Sequence, residues 1–163
     1  MMVRPRQRPR SRLAVPALFL LVTLVMTYPL AFRLGTGARD VGDGLLTSWI
    51  MAWNVRQLTR LDFAHYFDAN IFFPHERTLA YSEHLFTQSL ASLPVRAFSS
   101  NPLLAHNLVL LLAFLTSALG MYALARHLTR DRFGAVVAGL VFGFSPFMLS
   151  HFVHIQIVSA GGI

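Results

Sequence analysis

Residues 13–32 read LAVPALFLLVTLVMTYPLAF, an uncharged run of 20 residues. As a helix, a run of that length crosses the roughly 30 Å hydrocarbon core of a bilayer. It sets the class of the chain, which reads as an all-α, polytopic transmembrane helical bundle. Pro16 near the first turn is tolerated, whereas Pro29 is expected to kink or end the helix. The preceding residues 1–12 form a basic, proline-containing tail with Arg4, Arg6, Arg8, Arg10 and Arg12, expected to be disordered and held near anionic headgroups. A basic start before an apolar run also resembles a signal peptide, but the run is long and no A-x-A cleavage pattern follows, so an uncleaved anchor is the preferred reading.

Composition agrees with that class. The 163 residues are 55% hydrophobic and 13% charged, with a mean hydropathy of +0.53, a balance that soluble domains of this size rarely show. All fourteen basic residues are arginine, and the pI of about 11.3 would by itself suit a nucleic-acid binder. Their distribution argues otherwise. Five crowd the N-terminus, and Arg126, Arg130 and Arg132 crowd one later loop, where they flank apolar spans. That pattern records topology and points to a lipid bilayer as the partner, with no nucleic acid. The chain has no cysteine, which excludes disulfides and thiolate metal sites.

The spans follow in order. Span two is expected over 102–125, with Pro102 at its start, and a basic turn over 126–132 leads into span three over 133–150. Ala135, Gly139 and Gly143 recur there at four-residue intervals, a small-residue stripe that lets another helix approach closely. Polar residues in mid-span are few, chiefly Thr23, Thr116 and Ser117, which disfavours a transporter half. The positive-inside rule puts the N-terminus and the 126–132 turn on the cytoplasmic side of a cell membrane. Residues 33–100 then form a long external loop, and 151–163 emerge on the same side; the chain reads as truncated there. The loop holds six arginines, all but one of the acidic residues and both tryptophans. Two amphipathic juxtamembrane helices are expected in it. One covers 44–60; the other covers 82–93, with Ser82 as N-cap and a stop before Pro94. Between them, FDANIFFPHERTLAYSEH reads as irregular backbone folded over both helices.

The chemistry concentrates at GTGARDVGDGLLTSW, Gly35–Trp49, where glycines surround Asp40 and Asp43. Glycine opens backbone angles closed to other residues, so the loop can turn sharply and bring side chains onto a ligand. The two carboxylates, three residues apart, can converge on one cation or one hydroxyl. Asp43 is the preferred base, since a free aspartate has a pKa of about 3.9 and can take a proton from an attacking hydroxyl. The competing reading makes Asp43 the N-cap of the helix beginning at Leu45. Leu45, Leu46, Trp49, Ile50 and Trp53 recur at helical spacing, as on a membrane-surface helix. His75 and Glu76 open like H-E-x-x-H, but Leu79 stands where the second histidine belongs. His151, His154 and Gln156 mark the external end of span three, on the side of Asp43, as cavity-lining or merely interfacial groups. Arg77, Arg56 and Arg60 are each able to receive a phosphate through bidentate guanidinium bonds, while Arg56 and Arg60 equally suit the wet face of the first surface helix.

The order of basic tail, first span, acidic external loop with two surface helices and closely spaced spans resembles the N-terminal part of GT-C type glycosyltransferases, the group of protein O-mannosyltransferases and aminoarabinose transferases. TYPLAFRLG, DVGDGLLTSWIMAWN, FDANIFFPHERTLAYSEH, NPLLAHNLVLLLAF and FSPFMLSHFVHIQ all look like stretches of bacterial members. The resemblance implies an inverting transfer of sugar from a polyprenyl-phosphate donor to an acceptor hydroxyl on the external face. It assigns Asp43, with Asp40 beside it, to the acceptor, and places His151, His154 and Gln156 in the region of a second polar motif; these three and Arg77 are the candidate substrate-binding residues. Some members use a divalent metal, for which Asp43 is the candidate ligand here. Several members carry acidic residues where His151, His154 and Gln156 stand. The rival reading is a non-enzymatic membrane protein, a partner subunit or flippase-like component.

Overall fold

The computed structural model describes residues 10–38 and 40–160, with side chains from Leu13 onward. The expectation of a disordered tail falls almost wholly outside the described residues. These fold into seven α-helices and two short 3-10 turns, with no strand among them. The helices are α1 (Arg10–Met26), α2 (Asp43–Arg60), α3 (Phe86–Phe98), α4 (Pro102–Thr129), α5 (Arg132–Gly143), α6 (Pro146–Ser150) and α7 (Ile155–Ala160).

The α4 helix is the spine, packing against α1, α2, α3, α5 and α7. It begins where Asn101 caps it by accepting from the Leu104 N–H, with Pro102 in the first turn, where no N–H is missed. It and the stretch Arg132–Ser150 are each long and apolar enough to cross a membrane. Only 33% and 22% of their most apolar windows is buried inside the protein, so most of that surface faces outward, as in lipid-facing helices. The apolar part of α1, Leu13–Met26, is shorter. Instead of running on to residue 32, the helix stops three residues before Pro29, and the chain turns through a cis Tyr28–Pro29 bond into a 3-10 turn at Leu30–Phe32.

The small-residue stripe of α5 faces α4. An added Cβ at Gly139 would lie 2.6 Å from the Phe19 ring and 2.7 Å from the Ala118 carbonyl oxygen, and one at Gly143 would lie 2.7 Å from the Ala118 Cβ. The core continues through stacked Phe114 and Phe144 to Phe152. At the α4–α5 turn, Arg130 adopts left-handed backbone, and the Asp131 carboxylate caps α5 by accepting from the Phe133 and Gly134 N–H groups. Span three is not one helix. The chain breaks after Gly143, and Ser145 caps a fresh start before Pro146 by accepting from Met148 N–H.

The surface helices differ from expectation unequally. The first, α2, spans Asp43–Arg60 against an expected 44–60. The second begins at Phe86 rather than Ser82 and runs through Pro94 to Phe98. Leu85 holds left-handed backbone at its N-cap, and Pro94 lies within the helix. The segment between them is pegged to α2 and α3 by side chains. Asn54 donates to the His84 carbonyl at 2.6 Å and to Ser89 Oγ at 3.0 Å, Trp53 donates to the Tyr66 carbonyl, and Gln57 donates to the His65 carbonyl. The expected apolar face of α2 is divided: Ile50 is fully buried while Leu45 and Leu46 are exposed.

Two outcomes follow from this packing. Gly139→Ala should cost about 1–3 kcal/mol by forcing α5 off α4. Gly44→Ala, with no atom within 4 Å of the new Cβ, should be neutral or stabilise α2; thermal unfolding in detergent measures both. After α2, the Asp62 carboxylate beside His65 raises the imidazole above its usual 6.5, and the same hydrogen bond lowers Asp62 below 3.8. A raised histidine favours the fold below its unfolded value and loses that as pH rises through its folded one; a lowered aspartate favours it above its unfolded value and loses that as pH falls. The pair therefore supports this turn most between those limits. Proton NMR should show His65 titrating above 6.5, and Asp62→Asn should bring it down.

Candidate functional site

Two polar loops meet at one end of α4. The first is the glycine loop. Asn107 of α4 donates from one amide nitrogen to the Leu34 and Gly37 carbonyls, both at 2.8 Å, and Asn101 donates to the Gly35 carbonyl at 2.8 Å. Backbone carbonyls beside an apolar helix need such partners. None of the described glycines has positive φ. Their use is close approach: a Cβ at Gly35 would sit 3.1 Å from the Asn101 amide, and at Gly37 3.0 Å from the Arg33 carbonyl oxygen.

The loop then enters α2, and its two carboxylates part company. Asp40 Oδ2 accepts from the Gly42 N–H at 3.0 Å and the Asp43 N–H at 2.8 Å. Asp40 thus does the work of the helix cap expected of Asp43, which stands inside the first turn, after Gly42. The two do not converge on one point. Asp43 Oδ2 lies instead 3.3 Å from His154 Nε2. The backbone there is tied as well: Thr47 Oγ1 donates to the Asp43 main-chain carbonyl at 2.7 Å and sits 3.1 Å from His106 Nε2. His106 Nδ1 is in turn 3.2 Å from Asn107 Oδ1. A buried row of Thr47, His106 and Asn107 therefore joins the start of α2 to the glycine loop.

The second loop is the turn between α6 and α7. The His151 ring packs against Phe147, with ring centres 4.3 Å apart and planes tilted by 38°, and its Nδ1 lies 2.9 Å from the Phe147 carbonyl. Its ring is 5.7 Å from that of His154. Gln156 donates to Glu83 Oε1 at 2.7 Å, tying α7 to the loop before α3. His154 Nδ1 and Gln156 Oε1 are buried without a hydrogen-bond partner. Asp43 remains 56% exposed and His154 36%, so the contact is open to a ligand.

The fold thus brings Asp43 to His154, with the His151 ring beside that of His154, while Gln156 is turned to Glu83. It leaves Arg77 apart, exposed on the loop with its backbone N–H on Asp68 Oδ1. For a divalent metal the donors do not suffice: Asp40 is spent on backbone N–H groups, and no group of three His, Asp or Glu among the described residues is placed to hold an ion. Sequence reasoning missed Thr47, His106, Asn107 and Glu83. The signal was adjacent His106 and Asn107 inside an otherwise apolar span, which has to be explained by buried partners. Comparison with family models, curated proteins and solved structures finds no match to this chain.

The division of labour between the aspartates is testable by stability alone. Asp40→Ala removes the acceptor for two N–H groups and should cost about 1 kcal/mol. Asp43→Asn should cost less, and chemical denaturation of the two variants in detergent gives the order.

Proposed function

We propose that this chain forms the external site of a GT-C-like membrane glycosyltransferase, which moves a sugar from a polyprenyl-phosphate donor to an acceptor hydroxyl. The supporting observation is the contact between Asp43 and His154, carried on two loops distant in sequence. In this reading α4 and Arg132–Ser150 cross a cell membrane, α1 anchors the chain with its N-terminus cytoplasmic, and α2 and α3 lie on the external face.

The chemistry runs through Asp43. His154, whose Nε2 lies 3.3 Å from Oδ2, positions the carboxylate for the acceptor. Asp43 takes the acceptor proton as the acceptor oxygen forms its bond to the anomeric carbon. The bond from that carbon to the phosphate oxygen breaks, and the polyprenyl phosphate leaves with the electron pair. Positive charge develops on the sugar, and its configuration inverts. Asp40 acts indirectly, by capping the helix that carries Asp43.

The exposure of Asp43 also suits the non-enzymatic alternative, in which the carboxylate and His154 only clasp two loops. Sugar transfer from membrane-extracted polyprenyl-phosphate donors separates them. Asp43→Asn keeps the side-chain size and should lower transfer about 100-fold or more. Unchanged transfer would remove Asp43 from the chemistry, and no transfer by the native protein with any donor would favour the clasp.

A further inference from the structure

A second polar site lies on a different face of α2. Trp49, Trp53 and Arg56 fall at i, i+4 and i+7, and with Thr59, Asn70 of the following loop and Arg96 of α3 they line a groove of about 480 Å³. The tryptophan rings lie 6.1 Å apart and tilted by 32°. Trp53 is anchored by its Nε1–H on the Tyr66 carbonyl at 2.9 Å. The groove contains two guanidinium groups and no carboxylate. Neither arginine forms a salt bridge among the described residues. Arg96 is held in place by its Nη1 on the Ser100 carbonyl, yet its Nε–H is buried and unpartnered.

An uncompensated pair of guanidiniums around one cavity, with a buried donor unmet, calls for an anion. Guanidinium matches phosphate in geometry as well as charge, since its parallel N–H groups engage two oxygens at once. Hydroxyl and amide side chains at Thr59 and Asn70 add neutral partners. The paired tryptophans suit a location where one side is wet and the other apolar, the position they favour at a membrane surface.

We propose that this groove binds a net-anionic phosphate group, carried by a lipid headgroup at the membrane surface or free in solution. Neither Asp43 nor His154 lines this groove, so it is separate from the proposed transferase site. It gives a role to Arg56, and it replaces Arg77 and Arg60 with Arg96 as the second cation.

The molecule carries its own probe, for Trp49 and Trp53 are its only tryptophans. Intrinsic emission of the full chain in detergent, titrated separately with dihexanoyl phosphatidylglycerol, dihexanoyl phosphatidylcholine and inorganic phosphate, reads this groove alone. The anionic lipid should give a saturable change, and the zwitterionic lipid should need about 10-fold more to match it, as expected for lost charge-assisted contacts. A saturable response to inorganic phosphate, with competition against the lipid, identifies the free anion as a ligand; a response to the lipid alone identifies the headgroup. The double variant Arg56→Gln, Arg96→Gln should abolish the preference. Should it fail to fold, the exposed Arg56→Gln alone should still weaken binding about 10-fold. Equal responses to the two lipids, no response to either anion, or an Arg56→Gln variant indistinguishable from native would overturn the proposal.

Discussion

The amide of Asn107 is the interaction on which the arrangement rests. A loop of glycines lying against an apolar helix brings carbonyls that neither lipid nor leucine can satisfy. Asn107 meets two of them and shares its oxygen with His106, whose far nitrogen faces Thr47. Thr47 in turn holds the first turn of α2. The first turn of α2, which carries Asp43, is thus tied to α4 through three polar side chains with buried atoms, Thr47 of α2 and His106 and Asn107 of α4. Each would be costly alone in such surroundings and becomes acceptable only with its neighbours in place.

Helical class, α2 to within one residue, the start of α4 and the packing role of the α5 stripe were legible in the sequence because each rests on local rules. Apolar length, a proline in a first turn and a four-residue period are written along the chain itself. The Asp43–His154 approach was legible only as shared sidedness, since both were expected at the external ends of their segments. What was hidden depends on distant partners. Asp40 rather than Asp43 takes the capping bonds because the backbone folds back on it, and nothing in D-V-G-D favours one over the other. The start of α3 moved to Phe86 because the preceding residues are bound elsewhere: the His84 carbonyl is taken by Asn54, and its ring stacks between Tyr66 and Phe86. Ser82, with a good local claim to a helix start, was outbid by tertiary contacts.

The interruption between α5 and α6 explains how the two loops come to face each other. At about 1.5 Å per residue, the 28 residues of α4 extend about 42 Å, whereas the 12 of α5 cover about 18 Å. Had α5 continued straight, its polar end would have been carried along the helix axis away from α2. The break after Gly143 lets Phe144 and Phe152 turn inward onto Phe114, and that inward turn delivers His154 to Asp43.

Beyond His154 the chain doubles back. The α7 helix runs down between α3 and α4 far enough for Ser117, midway along α4, to donate to the Val158 carbonyl. Three helices meeting there on Ala91, Ala113 and Ala160 cannot close, and a crevice of about 250 Å³ remains, edged by Gln88, Thr116, Gln156 and Ser159. Its lining is largely apolar, and those polar side chains each hold a partner, Gln88 with Ser159, Thr116 with the α4 backbone and Gln156 with Glu83. Across that gap α7 is held by side-chain hydrogen bonds, Ser117 to the Val158 carbonyl and Gln88 to Ser159, where close packing leaves the three helices apart.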